Sequence, residues 1–190
     1  MKLNWLLVGV VMLAVTAGRA SAQTFNLGLE AGANNTHFYG DGSAILADGG
    51  TAPKWGFVGG GFICLNFGKS IAVRPEILYE QKGVSIQGAG TAVELDYVEV
   101  PLLLKLSLGT PALNPAFFAG PTIGLKMLAQ RGGQDLTDIN STDIGMAAGL
   151  ELDIDKFLVS VRVELGLGDI KNYSNVRNGT FTFLAGYAFM

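Results

Sequence analysis

Ile71 to Lys82 reads IAVRPEILYEQK. Ile71, Val73, Pro75, Ile77 and Tyr79 share one parity, and Arg74, Glu76, Glu80 and Lys82 share the other. A strand turns successive side chains to opposite faces, so this segment carries an apolar row on one side and ionised groups of both signs on the other. A helical period of 3.6 sorts these residues onto no common face.

The same alternation returns seven times. It is clearest at the end of the chain, where Phe181, Phe183, Ala185, Tyr187 and Phe189 alternate with Thr182, Leu184, Gly186 and Ala188. Further segments open near Phe25, Trp55, Val98, Phe117, Ile144 and Phe157. The Trp55 segment is the least regular, because Val58 and Phe62 stand on its other parity. Eight strands are therefore expected. Their connections alternate: Asn66 to Lys69, Gly109 to Asn114 and Asp153 to Lys156 are tight, whereas His37 to Pro53, Gly83 to Ala92, Gln130 to Ser141 and Asp169 to Asn178 are longer. An even-stranded antiparallel meander with short turns at one end and long loops at the other is the plan of an outer-membrane barrel, with both termini on the periplasmic side.

Which parity faces inward separates the alternatives. A soluble lipocalin-like carrier would enclose its Phe, Leu and Val and solvate its charges. A transmembrane barrel does the reverse: apolar side chains meet acyl chains, charges fill the lumen, and closure pairs every backbone group. The second arrangement is expected here, giving an all-β, eight-stranded up-and-down transmembrane barrel. By parity its lumen holds Glu30, Arg74, Glu76, Glu80, Lys82, Glu99, Lys105, Lys126, Asp143, Glu151, Asp153, Arg162 and Glu164. Members near strand ends are expected to be hydrated, and Arg74, Glu76, Glu99, Glu151, Arg162 and Glu164 to form a central ion-pair network. An eight-stranded interior is just filled by side chains, so the network reads as a plug rather than a path. Trp55, Tyr79, Tyr97, Tyr173 and Tyr187 fall near strand ends, where amphipathic rings prefer the membrane interface. Phe181, Phe183, Tyr187 and Phe189 make the last strand similar to the terminal signal read by barrel-insertion machinery, although Met190 rather than an aromatic residue is last.

Composition narrows the remaining possibilities. The chain has 190 residues, 49% of them apolar and 15% charged, with 27 glycines, too hydrophobic for intrinsic disorder. Its formal charge of −3 offers no basic surface for nucleic acid. A single cysteine and a single histidine exclude a disulfide framework, a multi-cysteine metal site and any mechanism requiring two histidines. Residues 1–22, MKLNWLLVGVVMLAVTAGRASA, combine a basic start, a short apolar run and Ala20-Ser21-Ala22 before Gln23. They read as a secretory signal peptide, leaving residues 23–190 as the barrel domain.

No catalytic, cofactor-binding or metal-binding residue is expected. His37, Asp41, Ser43 and Asp48 share the first long loop, but read as a glycine-rich polar loop. Asp135, Asp138 and Asp143 match no calcium-loop spacing. Gly59-Gly60-Gly61 lacks the Lys-Ser/Thr of a phosphate loop and lies within a strand, and Cys64 falls on the lumen parity as a small filler.

RPEILYEQKG (74–83), DYVEVPLLLKLSL (96–108), FFAGPTIGL (117–125), DIGMAAGLELDI (143–154) and VRVELGLGDI (161–170) occur in that order. Together they resemble the PorT-like outer-membrane β-barrel domain family of Bacteroidetes-type bacteria. The resemblance implies an eight-stranded barrel, no defined reaction and, for some members, a part in protein secretion. The expected partners are outer-membrane lipid, periplasmic chaperones and the insertion machinery. The leading expectation is a non-enzymatic outer-membrane barrel with a structural role or with loops that meet external partners. An accessory of a secretion or transport assembly is the second reading.

Overall fold

The computed structural model describes residues 24–40, 51–86, 92–110, 112–136, 139–168 and 176–189. The signal peptide expected over residues 1–22 lies outside them. The described chain forms β1 (Thr24–Gly40), β2 (Thr51–Phe67), β3 (Ile71–Ile86), β4 (Ala92–Ser107), β5 (Asn114–Arg131), a two-residue β6 (Gln134–Asp135), β7 (Thr142–Ile154), β8 (Phe157–Gly166) and β9 (Val176–Ala188). Each long strand pairs antiparallel with its neighbour, β4 pairs with β5, and β9 returns to pair with β1 over Gly28–Gly40. Eight strands thus close into an up-and-down barrel, while β6 only folds back on the end of β5. Among the described residues, each of the eight long strands has a ladder partner on both sides.

The alternate residues of β3 describe the lumen from the short-turn end upward: Ala72, Arg74, Glu76, Leu78, Glu80, Lys82, Val84 and Ile86, all buried. Up to Tyr79 their outward neighbours are apolar and exposed or half-exposed. Ile77 is 63% exposed, whereas Arg74 keeps only 2% of its surface. Phe25, Leu29, Phe57, Phe117, Leu150, Val163 and Phe183 are exposed in the same sense around the wall. The soluble-carrier reading needed the opposite arrangement and is overturned by this inversion.

Two expectations need correction. The long loops are shorter than the sequence suggested, because β1 continues through His37 to Gly40, β3 continues through Gly83 to Ile86, and β2 and β4 begin at Thr51 and Ala92. In this upper part the parity rule changes sign. Val84, Ile86, Val93, Leu95, Tyr97, Ala129, Ile139 and Val176 pack inside as one apolar cluster with Phe38 and Leu136. Outside stand Gln81, a Lys54–Glu94 ion pair at 3.0 Å, and Asp96, which accepts a 2.6 Å hydrogen bond from the Tyr79 hydroxyl. A pattern sought as charged-inside ends where the barrel acquires an ordinary apolar interior. Tyr97 is the second correction. It is 1% exposed and lies inside, not at an outer interface. Trp55, Tyr79 and Tyr187 do stand on the outer face, and Tyr173 lies outside the described residues.

A bulge on β5 accompanies the change. Asp96 pairs with Leu128 and Tyr97 with Lys126, leaving Met127 as the extra residue, turned outward. One inserted residue reverses the facing of all that follow, so Ala129 rather than Leu128 enters the upper cluster.

Candidate functional site

The lumen contains two decks of ionised side chains. The lower deck centres on Arg74. Its Nη1 donates to Glu151 and its Nη2 to Glu30, and Nε lies 2.9 Å from Glu76 Oε1. Arg162 Nη2 reaches both oxygens of Glu76, at 3.0 and 2.8 Å. Lys105 donates to Glu151 and, at 2.6 Å, to Asp153, which also accepts from Asn114 at 3.0 Å.

Each arginine rests on an aromatic ring. Arg74 Cζ lies 4.0 Å from the Phe62 centroid and Arg162 Cζ 5.3 Å from that of Phe118, within the range of a cation–π contact. The rings themselves lie over cross-strand glycines. A Cβ at Gly28 would meet Phe62 at 2.3 Å, and one at Gly149 would meet Phe118 at 2.4 Å. Glycine is required at both positions because the ring occupies the space of its side chain.

The upper deck centres on Lys82. Its Nζ donates to Glu99 and, at 2.8 Å, to Glu164, and lies 3.5 Å from Glu80 Oε2. The Tyr97 ring centroid is 5.7 Å from the ammonium. Nearby in the same lumen Asp143 accepts a 2.8 Å hydrogen bond from Asn178. Val58, Leu78 and Leu184 form one buried apolar cluster, with Leu78 between Glu76 and Glu80 on β3, and Leu103, Phe118 and Ala147 form another.

The six residues expected in one network therefore divide. Arg74, Glu76, Glu151 and Arg162 belong to the lower deck, and Glu99 and Glu164 to the upper. Glu30, Glu80, Lys82 and Lys105, lumen residues outside the expected central network, join these decks and are buried. With β3 running to Ile86, Lys82 is well inside the barrel. Cross-strand register, rather than position within one strand, links these groups. Lys126 donates to the Ile139 carbonyl at 2.6 Å.

The other sequence candidates disperse. His37 is on the outer face, and Asp41, Ser43 and Asp48 lie outside the described residues. Asp135 is exposed and bonded to Gln130, Asp143 is in the lumen, and Asp138 lies outside the described residues. Cys64 is buried and lines a cavity of about 570 Å³ that opens at the short-turn end. Arg74, Lys105, Glu151 and Asp153 form part of that cavity's wall. In the last strand Phe181, Phe183, Tyr187 and Phe189 all face outward. Phe181 meets Phe183 edge-on at 4.8 Å, and Tyr187 meets Phe189 at 5.5 Å.

Over residues 21–172 the sequence matches the family described as outer membrane protein beta-barrel domain. No curated protein matches it in sequence. Among solved structures, the fold is similar to Neisserial surface protein A, with a TM-score of 0.54, 12% identity and coverage of 89% of this chain and 100% of the other. It is also similar to Ail, the attachment invasion locus protein of Yersinia pestis, crystallised with the heparin analogue sucrose octasulfate (TM-score 0.53, 15% identity, 87% and 99% coverage). The outer membrane protein OprG of Pseudomonas aeruginosa gives a TM-score of 0.52 at 16% identity, covering 89% and 98%. At these identities the likeness concerns fold.

Proposed function

The chain belongs to the outer membrane protein beta-barrel domain family, and from that premise we propose that it is a non-enzymatic structural barrel whose closed lumen holds the wall in shape while its long loops meet external partners. The observation that carries this reading is the interlocked lower deck, in which Arg74 bridges Glu30, Glu76 and Glu151 across the interior. The Lys82 deck and the apolar cluster above it occupy the axis further up. A lumen filled in this way favours a plug over a conducting path. The short-turn end is periplasmic in this reading, and the aromatic outer row of β9 serves as the insertion signal.

Planar-bilayer recording of the purified full-length protein tests the plug. Steady stepwise conductance from the wild type would overturn it, and a silent membrane containing inserted protein is the expected result.

The second reading, an accessory of a secretion or transport assembly, is favoured by the resemblance to PorT-like proteins and by the cavity at the short-turn mouth. Proximity crosslinking from Lys69 and Lys156 in the native envelope separates the two. Recurrent capture of secretion components supports the accessory role, whereas capture of abundant unrelated barrels alone supports the structural one.

A further inference from the structure

The seam that closes the barrel, β1 against β9, carries two features on its outer face. The first is a hollow. Ala31 and Ala33 of β1 and Ala185 of β9 are small, and Phe183, Val161 and Leu150 stand around them, leaving an open groove of about 550 Å³. The register explains its course. Ala33, Phe183, Val161 and Leu150 form one cross-strand row, and Ala31, Ala185, Val159 and Leu152 the next. Strands of such barrels tilt by about 35–45°, so a groove following these rows runs obliquely through the hydrocarbon. Its β1 end is the one nearer the long loops.

The second feature lies above that end. Four residues further along β1, about 13 Å at the usual strand rise, His37 is exposed on the same face. Its ring covers Gly179, where a Cβ would meet Nε2 at 2.6 Å. Tyr39 follows, paired in register with Arg177. The Tyr39 hydroxyl donates to the Gly166 carbonyl of β8, which lays the phenol across β9, and its ring centroid is 6.5 Å from that of His37. Arg177 shares the parity of the outward Phe181 and Phe183 and is a diagonal cross-strand neighbour of His37.

A guanidinium, an imidazole and an interfacial tyrosine thus stand above an apolar groove. Guanidinium groups pair with phosphate through two parallel hydrogen bonds, and amphipathic rings favour the headgroup level. We propose that this seam is a specific site for one phosphate-bearing membrane lipid, with an acyl chain in the Ala31–Ala33–Ala185 groove and the headgroup phosphate held by Arg177 and His37. The proposal depends on the lipid-facing parity and not on whether the lumen conducts.

Native mass spectrometry of the full-length protein, released from nanodiscs containing either phosphatidylglycerol or diacylglycerol of the same chain length, tests it. One phosphatidylglycerol should be retained about tenfold more than diacylglycerol, the discrimination expected of a charge-assisted hydrogen bond. The double substitution His37→Gln with Arg177→Gln should abolish that preference. Ala185→Phe, which fills the groove, should lower retention of both lipids. Equal retention of the two lipids by the wild type would overturn the site even if no variant inserted. So would displacement of the lipid by inorganic phosphate alone, or a groove covered by a second copy of the chain, seen as a dimer devoid of lipid.

Discussion

Up to the level of the Lys82 deck the barrel is inside out, and above that level it is not. In the lower region Ile77, Phe183 and Leu150 are exposed on the wall while Arg74, Glu76 and Arg162 are buried. In the upper region Val84, Val93 and Leu95 are buried while Lys54 and Glu94 pair outside. The same strands serve both regions without a break, since β3 and β4 pass straight through. Backbone pairing is therefore indifferent to which face is polar. The surrounding medium selects the pattern: hydrocarbon below, where exposed apolar groups carry no penalty, and water above, where they must be enclosed. The switch level, marked by Trp55 and the Tyr79–Asp96 hydrogen bond, locates one boundary of the hydrocarbon on β2, β3 and β4.

The largest test of this contrast is Arg74→Met. It leaves Glu30, Glu76 and Glu151 without their shared cation and should destabilise the barrel by about 3–5 kcal/mol, read as a shift in reversible urea unfolding from lipid vesicles. Leu95→Ala probes the upper region, where an ordinary core predicts a loss of about 2–4 kcal/mol from the cavity it leaves. An unshifted unfolding midpoint would mean that the upper cluster is not a packed core. The wall offers a sharper comparison on one strand and one face. Ile77→Arg should cost about 2 kcal/mol, since a cation on the lipid face is penalised according to depth, whereas Gln81→Arg, four residues higher, should cost less than about 1 kcal/mol. Equal costs would place the hydrocarbon boundary elsewhere. The smallest effect belongs to Lys54→Ala. It breaks an exposed ion pair and should change the unfolding free energy by less than about 1 kcal/mol.

The lower region was legible because its strands keep one rule throughout. Ile71 to Lys82 and Phe181 to Phe189 each separate greasy from polar residues by parity, and parity alone assigns Arg74 and Phe181 to opposite faces. Gly83 to Ala92 reads as loop for the same reason. Val84 and Ile86 obey the alternation, as do Val93 and Leu95 on the next strand, but they place apolar groups on the face where charge is sought. The division of the lumen into two decks was equally hidden. Lys82 and Glu164 are separated by 82 positions, and Arg162 and Glu76 by 86, and only the stagger between strands sets such groups at one height.

By itself, the sequence determined the strand count, the meander and the inverted facing of the membrane wall, because a period of two and alternating turn lengths are local properties of the chain. Tertiary structure alone decided which charges meet, that Phe62 and Phe118 occupy the space of Gly28 and Gly149, and that the seam of β1 and β9 sets His37 and Arg177 above a groove. These depend on the register by which the first and last strands close the ring, a relation between residues far apart in sequence that no local pattern encodes.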